Sequence, residues 1–164
     1  MSTRLLYFTG FIIVCILLLT SVYLQLFKGM MPCPLCTLQR ISFGLMGFFF
    51  LLGAIFYFNK IARIILNSLI GIATSMGLFF ATRQVWLQHF PPANSEECGV
   101  SLQYMMQVLP VNEVISKIIA GSAECTQRGF EFLTLNMAEW AIVWFVFFLG
   151  MAIYLFAREC RSKA

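Results

Sequence analysis

Four long apolar segments constrain the fold of this chain more than any other feature of its sequence. They cover approximately Leu5–Phe27, Ile41–Phe58, Ile64–Phe80 and Trp140–Ala157. Each is long enough to cross about 30 Å of hydrocarbon at about 1.5 Å per residue. Because the segments are apolar on all sides, the pattern predicts membrane-spanning helices and not the strands of a barrel. The expected fold class is therefore an all-α membrane protein, a four-transmembrane-helix bundle.

The composition agrees with a single membrane domain over residues 1–164. Only 11% of the residues are charged and 60% are hydrophobic, whereas soluble domains average about 25% charged residues. The net charge of +4 does not indicate nucleic-acid binding, because most basic residues stand at the ends of apolar segments. The first segment lacks a small-residue cleavage site, so we expect it to stay in place as a helix and not to act as a cleaved signal.

The distribution of Lys and Arg predicts the orientation in the membrane. Four spans place both termini on one side, and that side carries Arg4, Lys60, Arg63, Arg158, Arg161 and Lys163. The long loop at about 81–139 carries three basic and six acidic residues. The positive-inside rule then puts the termini in the cytoplasm and the loops at about 28–40 and 81–139 on the outer side, which for a bacterial chain is the periplasm.

Four of the six cysteines fall on the predicted periplasmic side, where disulfides persist. Cys33 and Cys36 form a CxxC motif just after the first span, and Cys98 and Cys125 lie in the long polar loop. A CxxC brings two sulfurs close enough to form and break a disulfide, and a second pair nearby can exchange electrons with it. The pattern indicates a membrane protein that moves electrons through thiols.

Two other interpretations of these four cysteines stay open. They can form two static disulfides, or they can bind structural zinc, although zinc usually takes two closely spaced pairs. The members of the loop pair, Cys98 and Cys125, stand far apart in sequence. We expect Cys15 in the first span and Cys160 in the tail to be bystanders, because free cysteine packs like a small hydrophobic residue.

The surroundings of Cys36 favour redox chemistry. A position near the first turn of the second span stabilises a thiolate, and Arg40 follows one helical turn later. The Arg40 guanidinium can hold the thiolate or polarise a carbonyl oxygen of an acceptor. Its alternative role is to anchor the helix at the membrane interface. The chain has no haem motif, dinucleotide fingerprint or iron–sulfur cysteine set. A lipid-soluble quinone, ubiquinone or menaquinone, is the acceptor left by elimination.

The polar stretch after the third span contributes further candidates. Arg83 and Gln84 become accessible to a quinone if this span faces the CxxC motif; otherwise they contact lipid headgroups. His89, the only histidine, is expected to pack or hydrogen-bond and not to catalyse. Between Asn112 and Gly121, apolar residues recur at helical spacing, which predicts a short amphipathic helix in the membrane interface.

A set of short motifs extends over essentially the whole chain. They are Cys33-Pro34-Leu35-Cys36-Thr37-Leu38-Gln39-Arg40, then Leu87-Gln88-His89-Phe90-Pro91, the pair Cys98 and Cys125, and Glu131-Phe132-Leu133 through Met137 to Trp140. Together they resemble the DsbB family, bacterial inner-membrane quinone reductases that reoxidise the thiol oxidase DsbA.

This resemblance implies a role for each cysteine. Cys98 would take the attack of the reduced DsbA-like partner and form a mixed disulfide. Cys125 would then attack Cys33, and Cys36 would be left as the thiolate facing the quinone, with Arg40 beside it.

The resemblance also leaves alternatives. Some relatives carry a histidine where this chain has Gln84, and an amide can donate a hydrogen bond but cannot shuttle a proton. A vitamin K epoxide reductase type would have the loop pair before the CxxC motif, whereas here the CxxC comes first. A DsbB-like paralogue with one dedicated partner, or a non-enzymatic tetraspan protein with static disulfides, also fits the spans.

Overall fold

Four helices account for most of the described part of the chain. The computed structural model describes residues 3–28, 33–91 and 134–161, together with positions 107, 108, 110, 112, 113, 125, 131 and 132. The helices are α1 (Thr3–Lys28), α2 (Pro34–Ile55), α3 (Lys60–His89) and α4 (Met137–Arg161). All four are long and apolar enough to cross a membrane, which confirms the predicted four-helix fold class.

Consecutive helices run antiparallel and pack in pairs, α1 on α2, α2 on α3 and α3 on α4. The C-terminal ends of α1 and α3 therefore lie at the same end of the bundle as the N-terminal ends of α2 and α4. Large apolar side chains are exposed on every helix, including Leu19, Phe48, Ile72 and Phe147. Since lipid is the solvent around such a surface, the chain is a multi-pass membrane protein.

Helix α2 begins at Pro34, several residues before the predicted start at Ile41. The reason is local: Cys33 caps the helix, its sulfur accepting a hydrogen bond from the backbone N–H of Cys36 at 3.3 Å. Proline at the first helical position needs no hydrogen-bond partner for a backbone N–H and is favoured there. The CxxC motif is thus the first turn of a spanning helix and not a loop.

The other helix ends also differ from the apolar limits. Helix α2 ends at Ile55, and Asn59 caps α3 by accepting hydrogen bonds from the next turn. Helix α3 continues past Phe80 to His89, so its polar last turns are helical. Helix α4 begins before Trp140, because the Asn136 side chain accepts hydrogen bonds from the first-turn N–H groups of α4.

A two-stranded antiparallel ribbon, β1 (Glu131–Phe132) and β2 (Leu135–Asn136), leads into α4. The predicted interfacial helix between residues 112 and 121 lies outside the described residues, apart from positions 112 and 113.

Aromatic side chains fill the middle of the bundle. The rings of Phe43 and Phe145 stack at a centroid distance of 4.1 Å, and Phe50 and Phe148 pack beside them at 5.7 Å. A methyl group added at Gly77 would lie 2.2 Å from the ring of Phe145, so the close contact of α3 with α4 requires glycine there. In a membrane such close packing is a main source of helix association.

A buried polar cluster, here the ion-pair end, lies at the end of the bundle opposite the CxxC motif. Arg63 and Glu159 form an ion pair at 2.7 Å, joining the start of α3 to the end of α4. The Tyr7 hydroxyl donates to the Asn67 side-chain oxygen at 2.7 Å, joining α1 to α3. Arg63 also donates to the backbone oxygen of Tyr57 in the α2–α3 turn.

Candidate redox site

Three cysteine thiols meet at one end of the bundle and form what we call the thiol cluster: Cys33, Cys36 and Cys125. Cys33 and Cys125 are 3% and 1% exposed and pack in one buried group with Leu35 and Leu87. Cys36 lies at the edge of this group and is half-buried. Helix α2 supplies Leu35 and Cys36 and α3 supplies Leu87, so the packing of these two helices positions the cluster.

The sulfurs of these three cysteines lie close together, and Cys33 hydrogen-bonds with both of the others. The Cys33 thiol donates a hydrogen bond to Cys36, with 2.8 Å between the sulfurs. Hydrogen bonds to Cys125 and to Cys36, together with burial, raise the pKa of the Cys33 thiol above its ordinary value. Cys33 is therefore protonated at neutral pH when the cluster is reduced.

Two buried glutamines, here the amide pair, reach Cys36 from α2 and α3. The Gln84 side chain lies against the Cys36 sulfur, with Nε2 at 3.1 Å and Oε1 at 3.4 Å. The Nε2 of Gln39 donates to the Oε1 of Gln84 at 2.7 Å. The structure thus brings the predicted candidate Gln84 to Cys36. It adds Gln39, which the sequence analysis missed although an amide three residues after Cys36 in an apolar helix was a signal.

Arg40 makes its hydrogen bonds with α1. Its Nε donates to the Ser21 hydroxyl at 2.7 Å, Nη2 donates to the Ser21 backbone oxygen at 3.3 Å, and Nη1 donates to Gln25. All three guanidinium nitrogens therefore have partners on α1. A long arginine side chain can reach a neighbouring helix even when its Cα stands one turn from Cys36. The role expected of Arg40 at Cys36 stays a prediction.

The remaining candidates lie around this group. Arg83 is half-buried on α3, next to Gln84 in sequence but about 100° around the helix from it. His89 is exposed, and its Nδ1 lies 3.0 Å from the backbone oxygen of Val85, one turn earlier. Cys98 lies outside the described residues, so its predicted pairing with Cys125 stays a prediction.

The two predicted bystander cysteines lie away from the thiol cluster in sequence and in the fold. Cys15 is half-buried in the middle of α1, and Cys160 is exposed near the end of α4. Within the ranges that the structure describes, no group of three or more His, Cys, Asp or Glu side chains is arranged to hold a metal ion.

The chain matches one protein family over nearly its whole length. The family model described as Disulfide bond formation protein DsbB matches residues 3–155, a range that contains the thiol cluster, the amide pair and all but the last residues of α4. The chain belongs to the DsbB family. It is thus a membrane disulfide-formation protein, and the resemblance given by the short motifs is confirmed.

Curated relatives of the DsbB family match nearly the full length. Disulfide bond formation protein B of Hahella chejuensis is 34% identical over 161 residues, which cover 98% of each chain. Disulfide bond formation protein B 1 of Pseudomonas aeruginosa is 38% identical over 158 residues, covering 96% of this chain and 97% of that protein. The Chromohalobacter salexigens protein of the same name is 35% identical over 96% of this chain and 92% of its own. No solved structure gives a significant match.

Proposed function

We propose that this chain is a protein-dithiol:quinone oxidoreductase that reoxidises a periplasmic DsbA-like thiol oxidase and passes the electrons to a membrane quinone. The observation that carries the proposal is the contact of three thiols, Cys33, Cys36 and Cys125, in one cluster at one end of a spanning bundle. Cys125 is distant in sequence from the CxxC motif, so its burial against Cys33 has no explanation in local chain geometry. Membership of the DsbB family supports the same function.

The proposed thiol exchange runs from the loop to the bundle. The reduced partner attacks Cys98 of a Cys98–Cys125 disulfide, forming a mixed disulfide and releasing the Cys125 thiolate. Cys125 then attacks Cys33 of the Cys33–Cys36 disulfide and releases Cys36 as thiolate. The second thiol of the partner resolves the mixed disulfide, and the partner leaves oxidised. The contact between Cys125 and Cys33 supports the second exchange.

One further exchange and a two-electron oxidation then restore the starting disulfides. Cys98 attacks Cys125 and re-forms the loop disulfide, which frees Cys33 beside Cys36. Reoxidation of Cys33 and Cys36 gives up two electrons and two protons, which a quinone held beside Cys36 would accept.

The residues around Cys36 fit such an acceptor. Cys36 is half-buried while Cys33 and Cys125 are almost fully buried, so Cys36 is the sulfur of the thiol cluster most open to an acceptor. The Gln84 amide beside it can donate a hydrogen bond to a carbonyl oxygen. We propose Cys36, Gln84, Arg40 and Arg83 as the residues that hold the quinone, which is ubiquinone or menaquinone.

We further propose that the protein spans the bacterial inner membrane with both termini in the cytoplasm and the thiol cluster facing the periplasm. The excess of Lys and Arg at the ion-pair end supports this orientation. Membrane-impermeant maleimide applied to spheroplasts should label single-cysteine variants that keep Cys98 but not those that keep Cys160. The reverse labelling pattern would overturn the orientation.

The central test mixes the purified protein anaerobically with a reduced DsbA-like protein and a quinone, while quinone absorbance is followed. We expect stoichiometric loss of the oxidised quinone together with oxidation of the partner. Cys125→Ser should instead trap a mixed disulfide between Cys98 and the partner on a non-reducing gel. A tetraspan protein with static disulfides would change neither the quinone nor the partner. A dedicated paralogue would oxidise one specialised partner and not a general DsbA.

A further inference from the structure

A chain of two hydrogen bonds runs from α2 through α3 to the Cys36 sulfur. Gln39 donates to Gln84 at 2.7 Å, and Gln84 donates to Cys36 at 3.1 Å. The two glutamines are 6% and 5% exposed, so water competes little for their amide groups. A buried amide without a hydrogen-bond partner destabilises the fold, so the hydrogen bond between the two glutamines is favoured over its loss.

The two ends of the Gln84 amide act on the sulfur in opposite ways. An N–H group donates to a thiolate and stabilises it, whereas a carbonyl oxygen accepts from an S–H group and stabilises the thiol. Both ends of the amide lie within reach of Cys36, Nε2 at 3.1 Å and Oε1 at 3.4 Å. The orientation of the amide therefore depends on the partner that occupies its other side.

We propose that Gln39 is a positioning residue that orients the Gln84 amide. By donating to Oε1, Gln39 leaves the Nε2–H of Gln84 for the Cys36 sulfur, and this sets the fraction of reduced Cys36 that is thiolate. The consequence for electron transfer rests on the function proposed above, in which Cys36 faces the acceptor. Gln39 itself is not placed against the sulfur and acts through Gln84.

The chemistry of the pair suits its place in the bundle. Two neutral amides deliver a donor to a thiolate without placing a second buried charge in a spanning helix, where an ionised side chain is costly. The nearest basic residue along α2, Arg40, directs its guanidinium hydrogen bonds to α1. Among the described contacts of the Cys36 sulfur, the side-chain donors are the Gln84 amide and the Cys33 thiol.

The experiment uses the full chain with Cys36 as its single cysteine, purified without partner or quinone. The thiolate fraction is read at neutral pH from its ultraviolet absorbance and from the rate of alkylation by iodoacetamide. Gln39→Leu should lower both by about tenfold, because a hydrogen bond to an ionised group is lost or loosened. Gln39→Glu should lower them further, because a carboxylate accepts from Nε2 of Gln84 and turns the carbonyl oxygen toward the sulfur.

A double-mutant cycle tests whether Gln39 acts through Gln84. Gln84→Leu alone should lower the thiolate fraction, and Gln39→Leu added to it should have no further effect. Gln88→Leu is the matched control, since it removes an amide from the same helix whose oxygen accepts a hydrogen bond from Asn136. This control should leave the thiolate fraction unchanged.

Three results would overturn the proposal. The first is an unchanged thiolate fraction in folded Gln39→Leu. The second is that Gln39→Leu lowers the thiolate fraction as much in the Gln84→Leu background as in the unmodified background. The third is that the Gln88→Leu control lowers the thiolate fraction as much as Gln39→Leu does. Gln39→Met, which keeps the length of the side chain, repeats the test if the leucine variant does not fold. Because no quinone or partner is present, failure of this proposal is separate from failure of the proposed function, which the absorbance assay on the unmodified protein measures.

Discussion

The two ends of the bundle hold buried polar clusters of opposite character. The ion-pair end contains full charges, Arg63 and Glu159, fixed at 2.7 Å. The other end contains thiols and neutral amides around Cys36. A buried charge pair is hard to rearrange, because moving one partner leaves the other uncompensated. Neutral thiols and amides carry no permanent charge that a change of partner would leave uncompensated, which suits the proposed exchange of disulfide bonds. We therefore propose that the ion-pair end holds the helices together and that the thiol cluster carries the chemistry.

The largest effect is expected from Cys33→Ser. Loss of this thiol breaks the proposed exchange with Cys125 and should lower quinone-linked turnover by at least about a thousandfold. The unfolding midpoint should stay close to that of the unmodified protein, because serine is similar in size. Quinone absorbance measures the first and thermal unfolding in detergent the second. Retained turnover would contradict the role of this end in chemistry.

Glu159→Ala should show the reverse behaviour. It leaves the Arg63 guanidinium, 20% exposed, without its ion-pair partner and should lower the free energy of unfolding by about 3 kcal/mol. Turnover per folded molecule should be unchanged. The double variant Arg63→Met with Glu159→Leu should recover most of the lost stability. If turnover falls in the folded single variant, the ion-pair end affects the chemistry at the thiol cluster, and the two ends do not have separate roles.

The raised pKa of Cys33 predicts how the alkylation rate of this thiol depends on pH. Hydrogen bonding to Cys125, to Cys36 and burial favour the protonated form, so less thiolate is present at neutral pH and alkylation of reduced Cys33 is slow. Its rate should keep rising at a pH where an ordinary thiol has levelled off. Cys125→Ala should raise the rate at neutral pH, because it removes the hydrogen bond that contributes most to the raised pKa of Cys33. Equal rates before and after this change would remove Cys125 as the cause.

Arg40→Ala tests whether Arg40 takes part in the chemistry proposed for the thiol cluster. If the guanidinium also contacts the acceptor, the apparent quinone KM should rise by about threefold to tenfold, with thiol exchange between Cys98 and the partner preserved. Arg40→Lys should rescue only partly, since lysine lacks the planar fork. Gln25→Ala, which removes one α1 partner of Arg40, is the control and should leave KM unchanged. An equal rise in both variants would mean that Arg40 acts by holding α1.

The smallest effect is expected from Tyr7→Phe at the ion-pair end. It removes the hydroxyl that donates to Asn67 and should cost about 1 kcal/mol of unfolding free energy. Quinone-linked turnover should not change. A loss of turnover without a loss of stability would show that this hydroxyl serves chemistry and not attachment.

The spans were predictable from the sequence because a membrane helix must be apolar over a fixed length. The ends of the helices were less predictable, since the helices continue beyond their apolar segments. Cys33 and Pro34 start α2 before its apolar stretch, and Gln84 continues α3 beyond Phe80. Capping and polar helical turns carry no hydropathy signal.

Contacts between helices were the hardest to predict. The pairing of Gln39 with Gln84 and the direction of Arg40 depend on how α1, α2 and α3 are rotated about their axes, which spacing within one helix does not determine. The ion pair of Arg63 with Glu159 joins residues that are distant in sequence. The cysteine motifs were recognisable because a CxxC is a local pattern.

The hydrogen bonds between Arg40 and α1 bear on how the protein enters the membrane during synthesis. Arginine inside a bilayer is costly unless it is paired or reaches water. Ser21 and Gln25 stand on the helix made just before α2, so the partners of Arg40 are already present when this residue leaves the ribosome. The first two helices can therefore partition into lipid as a hairpin whose arginine is already hydrogen-bonded, before α3 and α4 have been made.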